Sequence, residues 1–340
     1  MSDIRANAHA VLLPAIADLS LTPALRQFLD HGGCSLLLGE ARAEYVARRM
    51  DASRVAAESH QAFADLATDI RRRAGAALIA VDQEPAGIAR LHRLTPTCPD
   101  RAQLARMSDL DIEAACASIA TAARAMGVNT FLAPIVDVVT GRNAWLEGRT
   151  LGADPAQVGR IASAAVRGFQ ACGVLACVKH FPGHHDIDHD PAISVAMVSG
   201  GPAELQAGFA PFREVIAAGA GAMMLGPALV PAVDATEPSS TSSPTARLLR
   251  RDFGFNGLIV SDDLDAAGIL CGRPLAEVAI AALRAGAELL LVAAGDHLAA
   301  LSDAIVRAVE TGQLDREGLA RAAAHVRAVA GRFATSEEGR

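Results

Sequence analysis

From Lys179 to Asp190 the chain reads Lys-His-Phe-Pro-Gly-His-His-Asp-Ile-Asp-His-Asp, holding four of its ten histidines and three aspartates. Imidazoles beside carboxylates supply general acid and base pairs, the carboxylate orienting the ring and setting its pKa. The same residue types also ligate metals. Phe181, Pro182 and Gly183 dictate a particular backbone course, which separates this stretch from an ordinary solvated loop. Lys179 adds a second signal, because it is the only lysine among 31 basic residues. A composition that uses arginine everywhere else keeps a lysine where a compact ammonium with three donors is needed.

These residues must be positioned by regular elements. Short apolar runs, many of them β-branched, recur along the chain: Ala10–Leu13, Cys34–Leu38, Ala77–Asp82, Asn129–Val136, Val174–His180, Ala222–Leu225, Leu258–Asp262 and Glu288–Val292. Runs apolar throughout suit strands buried on both faces of a parallel sheet. Between them lie segments with helical spacing, among them Arg101–Met126, Pro155–Cys172, Pro202–Ala218 and Leu275–Ala285. Eight strands, each followed by a helix, predict an α/β fold of the (β/α)8 TIM-barrel type, which takes about 250 residues before insertions. A doubly wound sheet is the runner-up, but Pro14–Leu21 after the first strand has no glycine-rich phosphate turn. One barrel domain over 1–331 is expected, with a polar tail at 332–340 and an exposed loop at Glu237–Pro244. Active-site groups of such a barrel sit at the C-terminal strand ends. Polar residues do stand there: Asp82, Asp137, Lys179 with His180, and Asp262 with Asp263.

Composition narrows the function. A net charge of −7, with one Trp and one Tyr, counts against a nucleic-acid surface. No apolar run reaches the roughly 18 residues of a membrane helix. Met1–Ala10 does not read as a signal peptide, having no basic stretch before an apolar one. Six scattered cysteines without a C-x-x-C pair argue for a reducing compartment and against a disulfide framework or a zinc cage. The expectation is a cytoplasmic protein, monomer or homodimer, with no cofactor or metal, no nucleic acid and no membrane, whose partner is a small molecule.

Lys179-His-Phe-Pro-Gly-His184 resembles the signature of family 3 glycoside hydrolases, in particular their β-N-acetylglucosaminidase branch. Gly257-Leu-Ile-Val-Ser-Asp-Asp-Leu264 is similar to the strand carrying that family's nucleophile, which places the nucleophile at Asp262. Ala80-Val-Asp-Gln-Glu84 matches the stretch whose Asp, here Asp82, holds sugar hydroxyls. Ala133-Pro-Ile-Val-Asp137 followed by Gly148-Arg-Thr-Leu-Gly152 matches the stretch whose Arg, here Arg149, contacts substrate. Pro211-Phe-Arg213 and Pro231-Ala-Val-Asp234 fall in family order, and the resemblance spans roughly residues 77–295. It implies a retaining, exo-acting hydrolase of terminal β-linked N-acetylglucosamine, acting on a small-molecule glycoside, with peptidoglycan turnover products as one source. Lys179 and His180 join Asp82 and Arg149 as sugar-binding groups.

The branch continues its loop with Asp-Ser-His, the Asp partnering an acid/base His. Those positions here are Asp190, Pro191 and Ala192. The family's Glu-Gly-Gly-Arg is Glu84-Pro85-Ala86-Gly87, and a His expected before Pro231 is Pro227. The loop can be re-registered, with His189 or His185 exchanging the proton beside Asp190, Asp188 or Asp186; His189 with Asp190 is the pair chosen. Three further readings are an enzyme for activated or unusual glycosides, a sugar-binding relative without catalysis, and a metal-dependent hydrolase built on His184, His185, Asp186 and Asp262.

Overall fold

A computed structural model describes residues 3–39, 44 and 50–334. Eight strands run in parallel and in sequence order around one sheet: β1 (Leu12–Ile16), β2 (Ser35–Leu38), β3 (Leu78–Val81), β4 (Thr130–Phe131), β5 (Leu175–Phe181), β6 (Ala222–Leu225), β7 (Leu258–Val260) and β8 (Leu290–Ala293). β8 pairs with β1 from Leu12↔Leu290, and a bridge between Val260 and Leu289 links β7 to β8, closing the ring. The result is the expected (β/α)8 barrel as a single domain. Leu13, Ala80, Leu175, Cys177, Leu258 and Leu289 point inward and leave a void of ≈ 10 Å³, so the interior is a packed core and not a channel.

Local chemistry explains most element boundaries. Thr22, Ser59, Ser108 and Asp154 each cap a helix by accepting a backbone N–H, starting Pro23–Asp30, His60–Ala74, Asp109–Ala125 and Pro155–Ala171. The cap at Ser108 divides the helix expected over Arg101–Met126 into Arg101–Arg106 and Asp109–Ala125. Pro202–Ala218 likewise divides at Gly208, since Pro211 has no N–H to donate and is accommodated in the first turn of Phe209–Ala217. β4 is shorter than expected because Pro134 interrupts its ladder; beyond it only Ile135 bridges to Lys179. Ala10, expected in the first strand, ends the helix Ile4–Ala10.

Two expectations at the surface are changed. The exposed loop foreseen at Glu237–Pro244 is largely buried: Ser239, Ser240, Thr241 and Ser242 are all inside. Their hydroxyls are bonded to the Ala228, Gly226 and Pro238 carbonyls and to the Glu237 and Asp234 carboxylates, which removes the cost of burying them. The last helix, Arg316–Ala334, carries the chain past Arg332, with Phe333 buried. The rest of the expected tail, 335–340, lies outside the described residues. Among those described, no helix is long and apolar enough to cross a membrane.

Candidate active site

A pocket of ≈ 430 Å³ opens at the C-terminal ends of the strands, walled in part by Asp82, Trp145, Arg149, Lys179, His180 and Asp262. Asp82 directly follows β3, Lys179 and His180 belong to the end of β5, Asp262 lies two residues after β7, and Arg149 comes from the loop after β4. Five of the seven residues expected from the sequence therefore meet in one cavity.

On the β3–β5 side every charge is paired. Lys179 Nζ lies 2.6 Å from Asp82 Oδ1 and 2.8 Å from Glu84 Oε1. Arg149 grips Glu84 with Nη2 at 2.6 Å from Oε1 and Nε at 3.1 Å from Oε2. Burial would raise the Glu84 pKa, but the Arg149 and Lys179 cations hold it far below the usual carboxylate range. Burial would lower that of Lys179, and the Asp82 and Glu84 carboxylates hold it above its ordinary value. Sequence reasoning gave Glu84 no role. Its signal was its place two residues after Asp82, the spacing that puts side chains on one face of an extended segment. The structure also accounts for Gly87, where the family has arginine: a Cβ there would fall 2.1 Å from Glu84 Oε2 and 3.1 Å from Arg149 Cβ.

Asp137, fully buried, organises the histidines. One oxygen accepts the backbone N–H of His180 at 3.0 Å and faces its Nδ1 at 2.8 Å; the other does the same for His184 at 2.8 and 3.0 Å. Burial would raise the Asp137 pKa, but these contacts from His180 and His184 keep it ionised. Burial lowers the His180 pKa to about 4, against the pull of Asp137. The neutral ring then gives its Nδ1 proton to Asp137 and turns an Nε2 lone pair toward Asp262, whose Oδ2 is 3.9 Å away. Trp145 packs on both rings, 4.5 Å from the His180 centroid and 5.7 Å from that of His184, while the Arg149 guanidinium lies 5.7 Å from the Trp145 ring. The sequence reading missed Trp145, although it is the only tryptophan. Asp137, His180 and His184 bring ligand-type atoms within 4.8 Å of one another, as in a metal site. Here those atoms hold one another by hydrogen bonds.

Asp262 is held differently. Its N–H donates to Ser240 Oγ at 2.9 Å, its carbonyl accepts from Ser261 Oγ at 2.8 Å, and its Oδ1 accepts the Asp263 N–H at 2.7 Å. Oδ2 is buried with no hydrogen-bond partner. Burial pushes the carboxyl up to about 6; the Asp263 N–H opposes this and the Asp263 charge adds to it. Ser240, in the segment expected to be exposed, is thus part of the site.

The loop after β5 spends its carboxylates on backbone N–H groups, two of its own and one of the loop after β4. Asp186 Oδ1 accepts the Arg142 N–H, Asp188 Oδ1 accepts that of Met197, and Asp190 Oδ1 accepts that of Ala192 at 2.9 Å. His189 pairs with Asp188 at 3.1 Å and is 62% exposed. Pro191 and Ala192 line the pocket, while His185, Asp186, Asp188, His189 and Asp190 do not. The structure therefore does not assemble His184, His185, Asp186 and Asp262 into one ligand set.

Residues 44–329 match the family model described as the glycosyl hydrolase family 3 N terminal domain. Over 292 residues the chain is 31% identical to a beta-hexosaminidase of Stenotrophomonas maltophilia, covering 83% of each protein. It is 33% identical to a beta-hexosaminidase of Thiobacillus denitrificans over 182 residues, which are 53% of this chain and 51% of that one, so the matched stretch spans about half of that relative. Among solved structures it resembles a glycoside hydrolase family 3 beta-N-acetylglucosaminidase from Paenibacillus sp., with a TM-score of 0.88 at 27% identity, covering 100% of this chain and 65% of that one.

Proposed function

The chain belongs to glycosyl hydrolase family 3, and on that premise we propose that it is a retaining, exo-acting β-N-acetylhexosaminidase with Asp262 as nucleophile. The observation that carries this reading is Asp262 Oδ2, without a hydrogen-bond partner in a pocket that Lys179 and Arg149 also line and one sugar can fill. Retaining glycosidases need such a carboxylate to bond to the anomeric carbon as its oxocarbenium character develops. Ser240, Ser261 and the Asp263 N–H fix the backbone and one oxygen, leaving the other to react.

Lys179, Arg149, Asp82 and His180 take the sugar hydroxyls. Lys179 and Arg149 donate, Asp82 accepts, and the His180 Nε2 lone pair accepts. Because the cations are already set by Glu84 and Asp82, little side-chain ordering remains to be done on binding. The Asp262 carboxylate must be ionised to attack, so activity should fall as pH drops through about 6.

Hydrolysis of nitrophenyl β-N-acetylglucosaminide beside nitrophenyl β-glucoside, each with and without added metal, tests the reading. Faster cleavage of the acetamido sugar, independent of metal and absent in Asp262→Ala, supports it. A metal requirement, or an Asp262→Ala variant that keeps its activity, overturns it. Tight sugar binding without cleavage leaves a sugar-binding protein.

A further inference from the structure

A sugar alkoxide is too basic to leave a glycosyl centre without a proton, so an enzyme for disaccharides needs a proton donor across the scissile bond from its nucleophile. Among the described residues, the side chains lining this pocket offer poor ones. Lys179 is held as a cation by two carboxylates, and Arg149 stays charged in any protein. His180 has its one ring proton on Asp137. Asp82 accepts from Lys179. Asp263 stands beside Asp262 at the same strand end, its Oδ1 taken by the Asp265 N–H. Asp18 and Asp296, on the loops after β1 and β8, are exposed.

The β5-loop side of the wall is apolar. Pro191 and Ala192 line the pocket, and beyond them Ile193, Val195 and Met197 are 65%, 48% and 44% exposed. These are three of the four large exposed hydrophobic residues among those described. They alternate with Ala196 and Val198, which are buried in a small core with Trp145 and Ile187, so the stripe projects away from that core. It begins at Ile193, the residue that follows Ala192 of the pocket wall. Exposed apolar surface gathered beside a pocket marks a contact site.

We propose that the substrate class of this pocket is aryl β-N-acetylhexosaminides, in which the aglycone is a phenol resting on the Ala192–Met197 rim. The inference rests on the glycosidase reading above and adds the leaving group to it. A phenolate departs without a proton from the protein, and its ring buries apolar surface on Ile193 and Val195 and meets the Met197 thioether, a favourable partner for aromatic edges. Asp262 Oδ2 bonds to the anomeric carbon while the carbon–oxygen bond breaks, its electron pair leaving on the phenolate oxygen. Water then attacks the same carbon, the carboxylate leaves with its electron pair, and the water proton passes to solvent, from which the phenolate is protonated. The net reaction is glycoside plus water to free sugar plus phenol.

The test compares kcat/KM for three substrates of the intact protein: a series of aryl β-N-acetylglucosaminides of graded phenol acidity, the disaccharide N,N′-diacetylchitobiose, and β-N-acetylglucosaminyl fluoride, which needs no proton and has no apolar aglycone. The aryl substrates should exceed the disaccharide by about 10³-fold or more, within the range a positioned proton donor contributes. Their rates should climb steeply with phenol acidity. The exposed double substitution Ile193→Ser with Val195→Ser should raise KM several-fold for the aryl series and leave the fluoride unchanged. Disaccharide cleavage within tenfold of the aryl rate, a flat dependence on acidity, or equal losses on aryl substrate and fluoride would each overturn the proposal. No cleavage of either aryl glycoside or fluoride overturns the glycosidase reading itself, and this one with it.

Discussion

The two sides of the pocket are stabilised in opposite ways. On the β3–β5 side, Lys179, Arg149, Asp82 and Glu84 form a closed set of ion pairs, all buried or nearly so. On the β7 side, Asp262 has its backbone clamped by two serine hydroxyls and its buried Oδ2 left without a hydrogen-bond partner. The first arrangement sets donors in place before a ligand arrives. The second keeps a carboxylate under strain of desolvation, relieved when it bonds to an electron-poor carbon. Binding is therefore built from satisfied groups and reactivity from an unsatisfied one.

The largest effect should come from breaking the β7 side. Asp262→Ala should cut turnover by ~10⁴–10⁶-fold, the scale on which nucleophile removals act. Stability should move the other way. A carboxyl whose folded pKa is raised to about 6 binds more protons folded than unfolded, so stability falls as pH rises from about 4 to 6. Asp262→Asn should accordingly be more stable than the parent at pH 7, by up to about 3 kcal/mol, and the gap should close below pH 4. Urea unfolding at both pH values measures it; a destabilised Asn variant at pH 7 would mean that Oδ2 has a partner after all.

Breaking the ionic side should cost stability as well as binding. Lys179→Met takes from Asp82 the cation it pairs with and leaves Glu84 with Arg149, in a buried site, and should destabilise by about 3–5 kcal/mol. Lys179→Arg keeps the charge but not the shape, and should weaken N-acetylglucosamine binding about tenfold with a smaller loss of stability. Quenching of Trp145 fluorescence reads this directly, since it is the only tryptophan and lines the pocket. Parental affinity in the Arg variant would show that charge alone suffices there.

Ser240→Ala tests the clamp. It leaves the buried Asp262 N–H without an acceptor, which should cost about 1–3 kcal/mol, and should lower kcat about tenfold with KM nearly unchanged. A stability loss with no change in kcat would make Ser240 only a structural residue. The smallest effect sharpens the same side: Asp263→Asn removes the charge that helps raise the Asp262 pKa, so the acid limb of the pH–rate profile should move to lower pH by less than about one unit.

The strand runs were legible because their signal is local. Eight apolar segments bounded by polar ends can be read one at a time, and the ends at Asp82, Lys179, His180 and Asp262 are the ones that meet. A single lysine among arginines was legible for the same reason. By itself the sequence determined the barrel, the face on which chemistry sits, and most of the side chains that line it. Which of the remaining polar residues belong to the site was decided by tertiary structure alone. Ser240 reaches Asp262 across 22 positions, His180 reaches Asp137 across 43, and Arg149 reaches Glu84 across 65. Whether a hydroxyl or carboxylate is buried depends on finding such a partner, and no local pattern announces one. The His- and Asp-rich loop shows the converse. Asp186, Asp188 and Asp190 have the right chemistry for catalysis, yet in the folded chain their oxygens hold backbone N–H groups, those of Met197 and Ala192 in the same loop and that of Arg142 in the loop after β4, and only the folded chain reveals that use.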